Sequence, residues 1–545
     1  MYKDGNLYVA HCADGALNLV GRMANRHGLI AGATGTGKTV SLQVLAETFS
    51  QAGVPCFMAD MKGDLSGVSQ PGRMSGFIEK RCAEFGIEDP QFAGCPVRFY
   101  DVFGEQGHAM RTSISAMGPQ LLARLMDLNE TQAGVLNVVF RIADDNGLLL
   151  IDLKDLRMTL DFVGRDASKF TVRYGNISSA SIGAIQRALL AIESEGGDKF
   201  FGEPTFDIMD LLDTEKGLGV LNVLAADRLM LQPRIYSTFL LWLLSDLYAK
   251  LPEVGDADLP RLVFFFDEAH MLFDGTSKAL TDKIEQVIRL IRSKGVGIYF
   301  ISQLPTDIPD AILGQLGNRI QHALRAFTPK DQKAVKATAQ TFRANPSFST
   351  EEAILELGTG EALVSFLDEK GAPSIVQRAR ILFPLSQIGA ITPEQRAAAL
   401  ASDPARIRYY DKFVDNESAY EVLAARTAEA EAARAAAEEA ASRQKEAERV
   451  AREKARAEKS SGGAKKAITR TILGTMIGAA MTSFARSLGT QTARSLTGSS
   501  TRKSSSSKTT TRKTTTRKSS TAKTSAATRK AVTRVTSDLL KDLLK

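Results

Sequence analysis

A glycine-rich segment near the amino terminus constrains this chain more than any other feature. It reads Gly32-Ala33-Thr34-Gly35-Thr36-Gly37-Lys38-Thr39 and fits the pattern G-x-x-x-x-G-K-[S/T] at every fixed position. The preceding residues, Gly28–Ala31, are apolar, and helical periodicity begins at Val40. This pattern predicts a strand, a tight loop whose backbone N–H groups face one point, and a helix whose positive end lies at that point.

The residue types in this loop predict a nucleoside triphosphate, taken as ATP with Mg²⁺, as the ligand. Lys38 is expected to neutralise charge on the β- and γ-phosphates, and Thr39 to ligate Mg²⁺. The other residues from Gly32 to Val40 are expected to line the nucleotide. The alternative, a glycine turn without a ligand, requires the whole pattern to arise by chance.

A second motif joins an apolar run to two adjacent carboxylates. Leu262–Phe266 is followed directly by Asp267 and Glu268, which is the form of a Walker B motif. Asp267 is expected to hold Mg²⁺ through water, and Glu268 to orient and activate the attacking water. Acidic residues that merely cap a buried strand are the alternative, and the phosphate loop upstream argues against it.

Weaker signals follow in the next part of the chain. The buried run Gly297–Ser302 ends at Gln303, which could sense the γ-phosphate or the attacking water, or could simply cap the strand. Arg289 and Arg292 share one face of the preceding helix. They fit either a solvated helix face or arginines that reach the γ-phosphate of a neighbouring subunit.

The pattern as far as about residue 385 predicts an α/β fold with a mostly parallel sheet. Helical periodicity dominates between about residues 113 and 249, which indicates a helical insertion. The predicted strands are Gly28–Ala31, Val54–Ala59, Val97–Val102, Arg261–Phe266, Gly297–Ser302, Ile320–Phe327 and Glu361–Leu367.

The remainder of the chain changes composition several times. A connecting helical segment is expected at 386–416, a long charged helix at 417–460, an amphipathic segment at 461–497 and a disordered Ser/Thr/Lys/Arg-rich tail at 498–545. Residues 461–545 contain eighteen Lys or Arg and two Asp, so the basic surplus lies there. The amphipathic segment fits docking on a protein partner or, alternatively, contact with a membrane surface.

Composition also favours a cytoplasmic protein. The four cysteines form no C-x-x-C pair and lie in or beside apolar runs, so neither disulfides nor a zinc site is expected. The first residues show no basic segment followed by an apolar one, so no secretory signal is visible.

Together these motifs resemble those of the HerA–FtsK superfamily of P-loop motor ATPases. The resemblance rests on Gly32–Thr39, on Asp60 with Lys62 and Gly63, on Asp267–His270 and on Arg292–Gly297 with Gln303. It covers residues 1–385 and implies a RecA-like core that assembles as a hexamer, hydrolyses ATP and moves DNA.

The resemblance also assigns single positions. Arg26 and His27 match a basic pair ahead of the loop. Asp60 matches an acidic residue that follows the second strand, and it is expected to contact the nucleotide. Arg292 matches the arginine that acts in trans, and Arg319 is a further candidate for contact between subunits.

Two functions remain open on the sequence. The first is a ring-forming motor that binds DNA without reading its sequence, with the basic tail as an additional contact. The second is a scaffold that ATP switches between states, with the long helix and tail recruiting a partner or a membrane. HerA helicases carry a β-barrel ahead of the ATPase, whereas only 31 residues precede Gly32, which argues against simple equivalence.

Overall fold

The computed structural model describes residues 1–460 except 4, 256 and 274–277. The chain divides into two compact units, Met1–Ala440 and Ala441–Lys545, and the described part of the second is helical from 441 to 460. The predicted amphipathic segment and the tail lie outside the described residues. No helix of residues 1–460, leaving aside the six residues not described, is long and apolar enough to cross a membrane.

A 13-stranded sheet forms the centre of the first unit. Across the described ranges the strands are β1 (Tyr2–Lys3), β2 (Asn6–Cys12), β3 (Gly15–Leu19), β4 (Gly28–Ala31), β5 (Cys56–Asp60), β6 (Val97–Asp101), β7 (His108–Ala109), β8 (Thr214–Glu215), β9 (Leu218–Gly219), β10 (Leu221–Ala225), β11 (Leu262–Phe266), β12 (Val296–Ser302), β13 (Asn318–Gln321), β14 (Glu361–Ser365) and β15 (Gln377–Ile381). Their order is β1-β2-β15-β14-β13-β4-β12-β11-β5-β10-β6-β7, with β3 on β2 and with β8 and β9 paired separately. From β13 to β7 every neighbouring pair is parallel, so the predicted α/β fold with a mostly parallel sheet is confirmed.

Helices cover both faces of this sheet. In the same residues they are α1 (Lys38–Gln51), α2 (Gly76–Phe85), α3 (Ile114–Leu125), α4 (Glu130–Asp145), α5 (Leu153–Arg165), α6 (Ala167–Tyr174), α7 (Ser179–Ser194), α8 (Gly197–Phe200), α9 (Pro233–Lys250), α10 (Lys278–Ile291), α11 (Asp310–Leu313), α12 (Pro329–Gln340), α13 (Thr350–Glu356), α14 (Pro393–Ala401), α15 (Pro404–Arg406) and α16 (Ala419–Ser460).

The central strands are apolar along their whole length because both of their faces are covered. Every residue of β4, β5, β11 and β12 is buried. Along β11, Phe264 and Phe266 pack into one core, whereas Val263 and Phe265 pack into the core on the other face. A parallel sheet buried in this way has few places for polar chemistry except its edges.

The strand register brings the carboxyl ends of these strands together. Ser302 of β12 pairs with Ala31 of β4, and Phe266 of β11 pairs with Ala59 of β5. The residues that follow each strand, including the glycine-rich loop, therefore share one edge of the sheet.

Strand β10 was not predicted from the sequence. It lies between β5 and β6 in the sheet, although its residues fall within the range 113–249 that was expected to be mostly helical. Leu and Ala favour helices locally, and long-range pairing decides the structure here. The side chain of the buried Asn222 donates hydrogen bonds to the Cys56 and Leu211 carbonyls, which secures the strand from within.

His27 holds three elements together immediately before the glycine-rich loop. Its Nε2 donates to the Ile288 carbonyl of α10 over 2.9 Å, and its Nδ1 accepts from the Ile298 N–H of β12 over 3.0 Å. The backbone of His27 is left-handed, with φ of 59°. Burial lowers its pKa from 6.5 to about 4, so His27 is a neutral brace near neutral pH.

This brace predicts a pH-dependent stability. Because His27 has a lower pKa folded than unfolded, its contribution is full above about pH 6.5 and is lost as the pH falls towards 4, by up to about 3 kcal/mol. Chemical unfolding at several pH values should show this slope. His27→Gln should be less stable at pH 7.5 but should show a flatter slope between pH 6.5 and 4; an unchanged slope would contradict the assignment.

Candidate nucleotide-binding site

The loop between β4 and α1 places backbone N–H groups at the start of a helix of 14 residues. Gly37 caps this helix with φ of 113°, a conformation that favours glycine. Gly32 packs closely on His322, the residue that follows the neighbouring strand β13. A Cβ added to Gly32 would lie 2.5 Å from Cβ of His322. The loop therefore has the form expected of an anion site at a helix amino terminus.

Lys38, the first residue of α1, points back into the loop. Its Nζ donates to the Gly32 carbonyl over 2.7 Å and to the Ala33 carbonyl over 3.2 Å. Burial lowers the pKa of Lys38, and the nearby carboxylates Glu268 and Asp267 oppose that shift. Lys38, which is predicted to bind the triphosphate, thus interacts electrostatically with both predicted acidic residues, Asp267 and Glu268.

Asp267 directly follows β11 at the same edge of the sheet. Its Oδ1 accepts the N–H of Glu268 over 2.9 Å, and the residue is almost completely buried. Burial first, and repulsion from Glu268 second, raise the pKa of Asp267 to about 6. A carboxylate that is buried beside another carboxylate is stabilised by a cation. The oxygen donors of Asp267 and of the Thr39 hydroxyl are of the kind that the hard cation Mg²⁺ prefers.

Glu268 forms an ion pair with Lys62, which lies in the turn after β5. Lys62 Nζ donates to Glu268 Oε1 over 2.5 Å, although the two residues are 206 positions apart in the chain. Burial favours a raised pKa for Glu268, but the bond and the charge of Lys62 outweigh it and the pKa is lowered. Glu268 is therefore an ionised carboxylate at neutral pH.

Asp60 orders the turn that carries Lys62. Its carboxylate accepts the N–H groups of Gly63 and Leu65 over 2.8 and 3.2 Å, and that of Lys62 over 3.4 Å. Burial and the nearby Asp64 raise the pKa of Asp60 to about 7. Asp60 was expected to contact the nucleotide, and its visible role is to position Lys62.

Two buried polar atoms near Glu268 lack hydrogen-bond partners. Oε2 of Glu268 and Nδ1 of His270 lie 3.6 Å apart, and neither has a partner among the described residues. Glu268 itself adopts a left-handed conformation, with φ of 46°. An unpaired carboxylate oxygen in a constrained side chain is suited to accept a proton or a hydrogen bond from water.

His322 supports the loop from the side of β13 and was not predicted. Its Nδ1 donates to the Glu361 carbonyl over 2.9 Å, and its Nε2 accepts from the Ser41 hydroxyl over 2.7 Å. Burial lowers its pKa to about 4. The predicted strand Ile320–Phe327 would have enclosed His322, whereas β13 ends at Gln321, so the sequence carried no signal for this contact.

Of the remaining predicted residues, Gln303 lies beside the loop, whereas Arg289 and Arg292 lie far from it. Gln303 follows β12 beside the loop, where the Gly32 N–H donates to the Ser302 carbonyl over 3.3 Å, and its side chain is exposed. Arg289 and Arg292 precede β12 and lie towards the opposite edge of the sheet. Arg289 forms an ion pair with Glu285 over 2.5 Å.

The side chain of Arg319 is bonded within its own chain. Its guanidinium donates to the carbonyls of Leu316, Leu313 and Thr341 over 3.0, 3.2 and 3.4 Å. It is the second residue of β13, so it too lies away from the loop. Such bonds leave the Arg319 side chain as a structural cap for two helix ends.

The Lys62–Glu268 pair predicts a pH-dependent stability effect. Lys62→Met leaves the buried Glu268 without its cation, and we expect a loss of about 1 kcal/mol at pH 7.5, since Lys62 is half-exposed. Burial then raises the pKa of Glu268, so this loss should grow as the pH rises from about 4.5 to 7.5.

Chemical unfolding of three variants tests this pair. Lys62→Arg should retain wild-type stability, and the double variant Lys62→Met with Glu268→Gln should recover most of the loss. A double variant that is no more stable than Lys62→Met alone would contradict the assigned ion pair.

Comparisons with known proteins agree with these motifs. A sequence model of the family described as "Helicase HerA-like C-terminal" matches residues 6–505. The DNA double-strand break repair helicase HerA of Sulfolobus acidocaldarius is 33% identical over 99 residues, which cover 18% of this chain and 19% of that protein. The HerA of Sulfurisphaera tokodaii is 35% identical over the same length. The match spans about a fifth of the length of these curated relatives.

The similarity of this chain to solved structures is weak. The bacterial conjugative coupling protein TrwB is 15% identical with a TM-score of 0.48, and the match covers 69% of this chain and 89% of that one. VirB4 of Thermoanaerobacter pseudethanolicus is 15% identical with a TM-score of 0.45, over 72% and 99% of the two chains. The family match covers most of the sequence, and the chain belongs to the HerA-like C-terminal helicase family.

Proposed function

We propose that this protein is a Mg²⁺-dependent ATP hydrolase that acts as a DNA-associated motor. The observation that carries the proposal is the cluster at one edge of the sheet, where Lys38 in the glycine-rich loop shares an electrostatic environment with Asp267 and Glu268. A cation for phosphate and an acidic pair for metal and water are the minimum that phosphoryl transfer to water requires.

Each residue of the cluster has a distinct role in the proposed reaction. Backbone N–H groups of Gly32–Thr39 and the first turn of α1 bind the triphosphate, and Lys38 neutralises its terminal phosphates. Thr39 and Asp267 would hold Mg²⁺, which supplies further neutralisation of phosphate charge when bound. Gln303, which follows β12 and is exposed, would contact the γ-phosphate or the attacking water.

Glu268 is the proposed base for the attacking water. Its lowered pKa keeps it ionised at neutral pH, and its free Oε2 is available to orient water for in-line attack. Lys62 holds the other oxygen, so the carboxylate has a fixed orientation. His270 Nδ1 lies 3.6 Å from Oε2 and can share the same water.

In a ring of subunits, an arginine of one subunit would supply a further cation to the nucleotide of its neighbour. Arg289 and Arg292 lie away from the loop of their own subunit, so either can act only on a neighbour's nucleotide. Arg292 is the position that matches the trans-acting arginine of the HerA–FtsK pattern, and Arg289 forms an ion pair with Glu285 within its own helix. Arg319 is the weakest of the three, since its guanidinium already binds three carbonyls.

DNA is the proposed polymer substrate. The family is described as helicase-like, and the two HerA proteins that match part of this chain are named DNA repair helicases. The basic surplus in residues 461–545 suits phosphate contacts that do not read sequence. ATP and DNA meet in the cytoplasm, where we place the protein.

Two substitutions separate nucleotide binding from turnover. Lys38→Ala should abolish ATP binding, whereas Glu268→Gln should keep ATP affinity within about twofold and lower the turnover rate at least about 100-fold, because only the base is lost. Calorimetric titration and steady-state phosphate release measure the two quantities. Normal turnover by Glu268→Gln would refute the assignment of the base.

The response to DNA separates the motor from the scaffold. The ATPase rate of the full chain should rise with DNA and lose that stimulation as salt increases. A chain ending at Lys459 should retain stimulation if the ring itself contacts DNA, and should lose it if the tail is the tether. A slow rate unaffected by DNA, together with ATP-dependent oligomerisation, would instead favour a nucleotide-switched scaffold.

A further inference from the structure

We infer that a cavity beside the glycine-rich loop, with Phe77 at its mouth, is the subsite for the base and ribose of the bound nucleotide. The cavity has a volume of about 210 Å³. Residues of α2, of the turn into β14 with its first residue, and of β15 line it: Phe77, Lys80, Arg81, Glu84, Gly358, Thr359, Glu361 and Arg380. The inference rests on the proposed function, since it places the nucleoside half of the same ligand.

The cavity is joined to the phosphate loop through Gly360. The Gly360 N–H donates to the Thr36 carbonyl over 2.9 Å, and a Cβ on Gly37 would lie 3.3 Å from the Gly360 nitrogen. On the side of β14, the cavity is therefore the first surface that a ligand with its phosphates in the loop would contact. The opposite side, towards β12 and β11, carries Gln303, Asp267 and Glu268 and is taken up by the reacting phosphate.

Arg81 fixes the wall of the cavity. Its guanidinium donates to the Gly360 carbonyl over 3.1 Å and to Glu84 over 3.0 Å, and it lies 5.5 Å from the centre of the Phe77 ring. Arg81 is buried despite its charge, with 6% of its surface exposed. A buried arginine that bonds a loop carbonyl and stacks on an aromatic ring holds both in a fixed arrangement.

Phe77 supplies the surface that a base requires. Its ring is 39% exposed at the second position of α2, and its Cε2 would lie 4.0 Å from a Cβ on Gly360. Because Gly360 has no side chain, the space between the Phe77 ring and the glycine-rich loop remains open. Aromatic rings bind bases by stacking, which depends little on base identity, and the hydroxyl of Thr359 in the lining suits a ribose hydroxyl.

The test compares two ligands that share the phosphates but differ in the nucleoside. ATP and inorganic tripolyphosphate, each with Mg²⁺, are titrated calorimetrically into the full chain. The wild type should bind ATP more tightly than tripolyphosphate. Phe77→Ala should weaken ATP binding at least about tenfold and leave tripolyphosphate affinity unchanged, whereas Phe77→Tyr should keep both. Phe327→Ala, at a phenylalanine that is 88% exposed, is the matched control and should change neither.

Three outcomes would overturn the subsite. The first is a Phe77→Ala variant with wild-type affinity for ATP, and the second is an equal loss for both ligands, which would mean that the loop itself was damaged. The third is a wild type that binds ATP no more tightly than tripolyphosphate. A wild type that binds neither ligand would refute the proposed function itself, so the two failures are distinguishable.

Discussion

Burial of the parallel sheet on both faces is the constraint on which the rest of the structure depends. Strands β4, β5, β11 and β12 contain no exposed residue, so neither face offers room for polar chemistry. Parallel pairing aligns their carboxyl ends, and the polar residues that end each strand are forced to one edge. Lys38 and Lys62 meet the adjacent pair Asp267 and Glu268 there, although Lys62 is 206 positions from Glu268 in the chain.

Charge balance at this edge explains why each group keeps a useful protonation state. Asp267 and Glu268 are adjacent and buried, and without cations repulsion would protonate one of them. Lys62 resolves the conflict in favour of Glu268, whose pKa is lowered, and leaves Asp267 with a raised pKa. Glu268 is thereby ionised, while the buried carboxyl of Asp267 keeps a raised pKa that a bound cation would offset.

The sequence predicted the central strands and the acidic pair because both depend on local signals. Continuous apolar runs such as Leu262–Phe266 indicate buried strands, and the fixed spacing of Gly32–Thr39 indicates the loop. Strand β10 and the His322 support escaped prediction because pairing across the sheet creates them. The Lys62–Glu268 pair joins residues 206 positions apart, and no local pattern encodes that distance.

The same long-range packing decides how the loop is coupled to the rest of the unit. His322, at the end of β13, touches Gly32 and bonds to Ser41 in α1, so it contacts the loop at its start and the helix in its first turn. Gly360, at the start of β14, bonds to Thr36 in the middle of the loop. Because β13 and β14 are antiparallel neighbours, any shift of the loop on binding phosphate must move both strand ends together or break one of these bonds. The antiparallel half of the sheet is therefore the direct mechanical neighbour of the nucleotide site, whereas the parallel half carries its acidic chemistry.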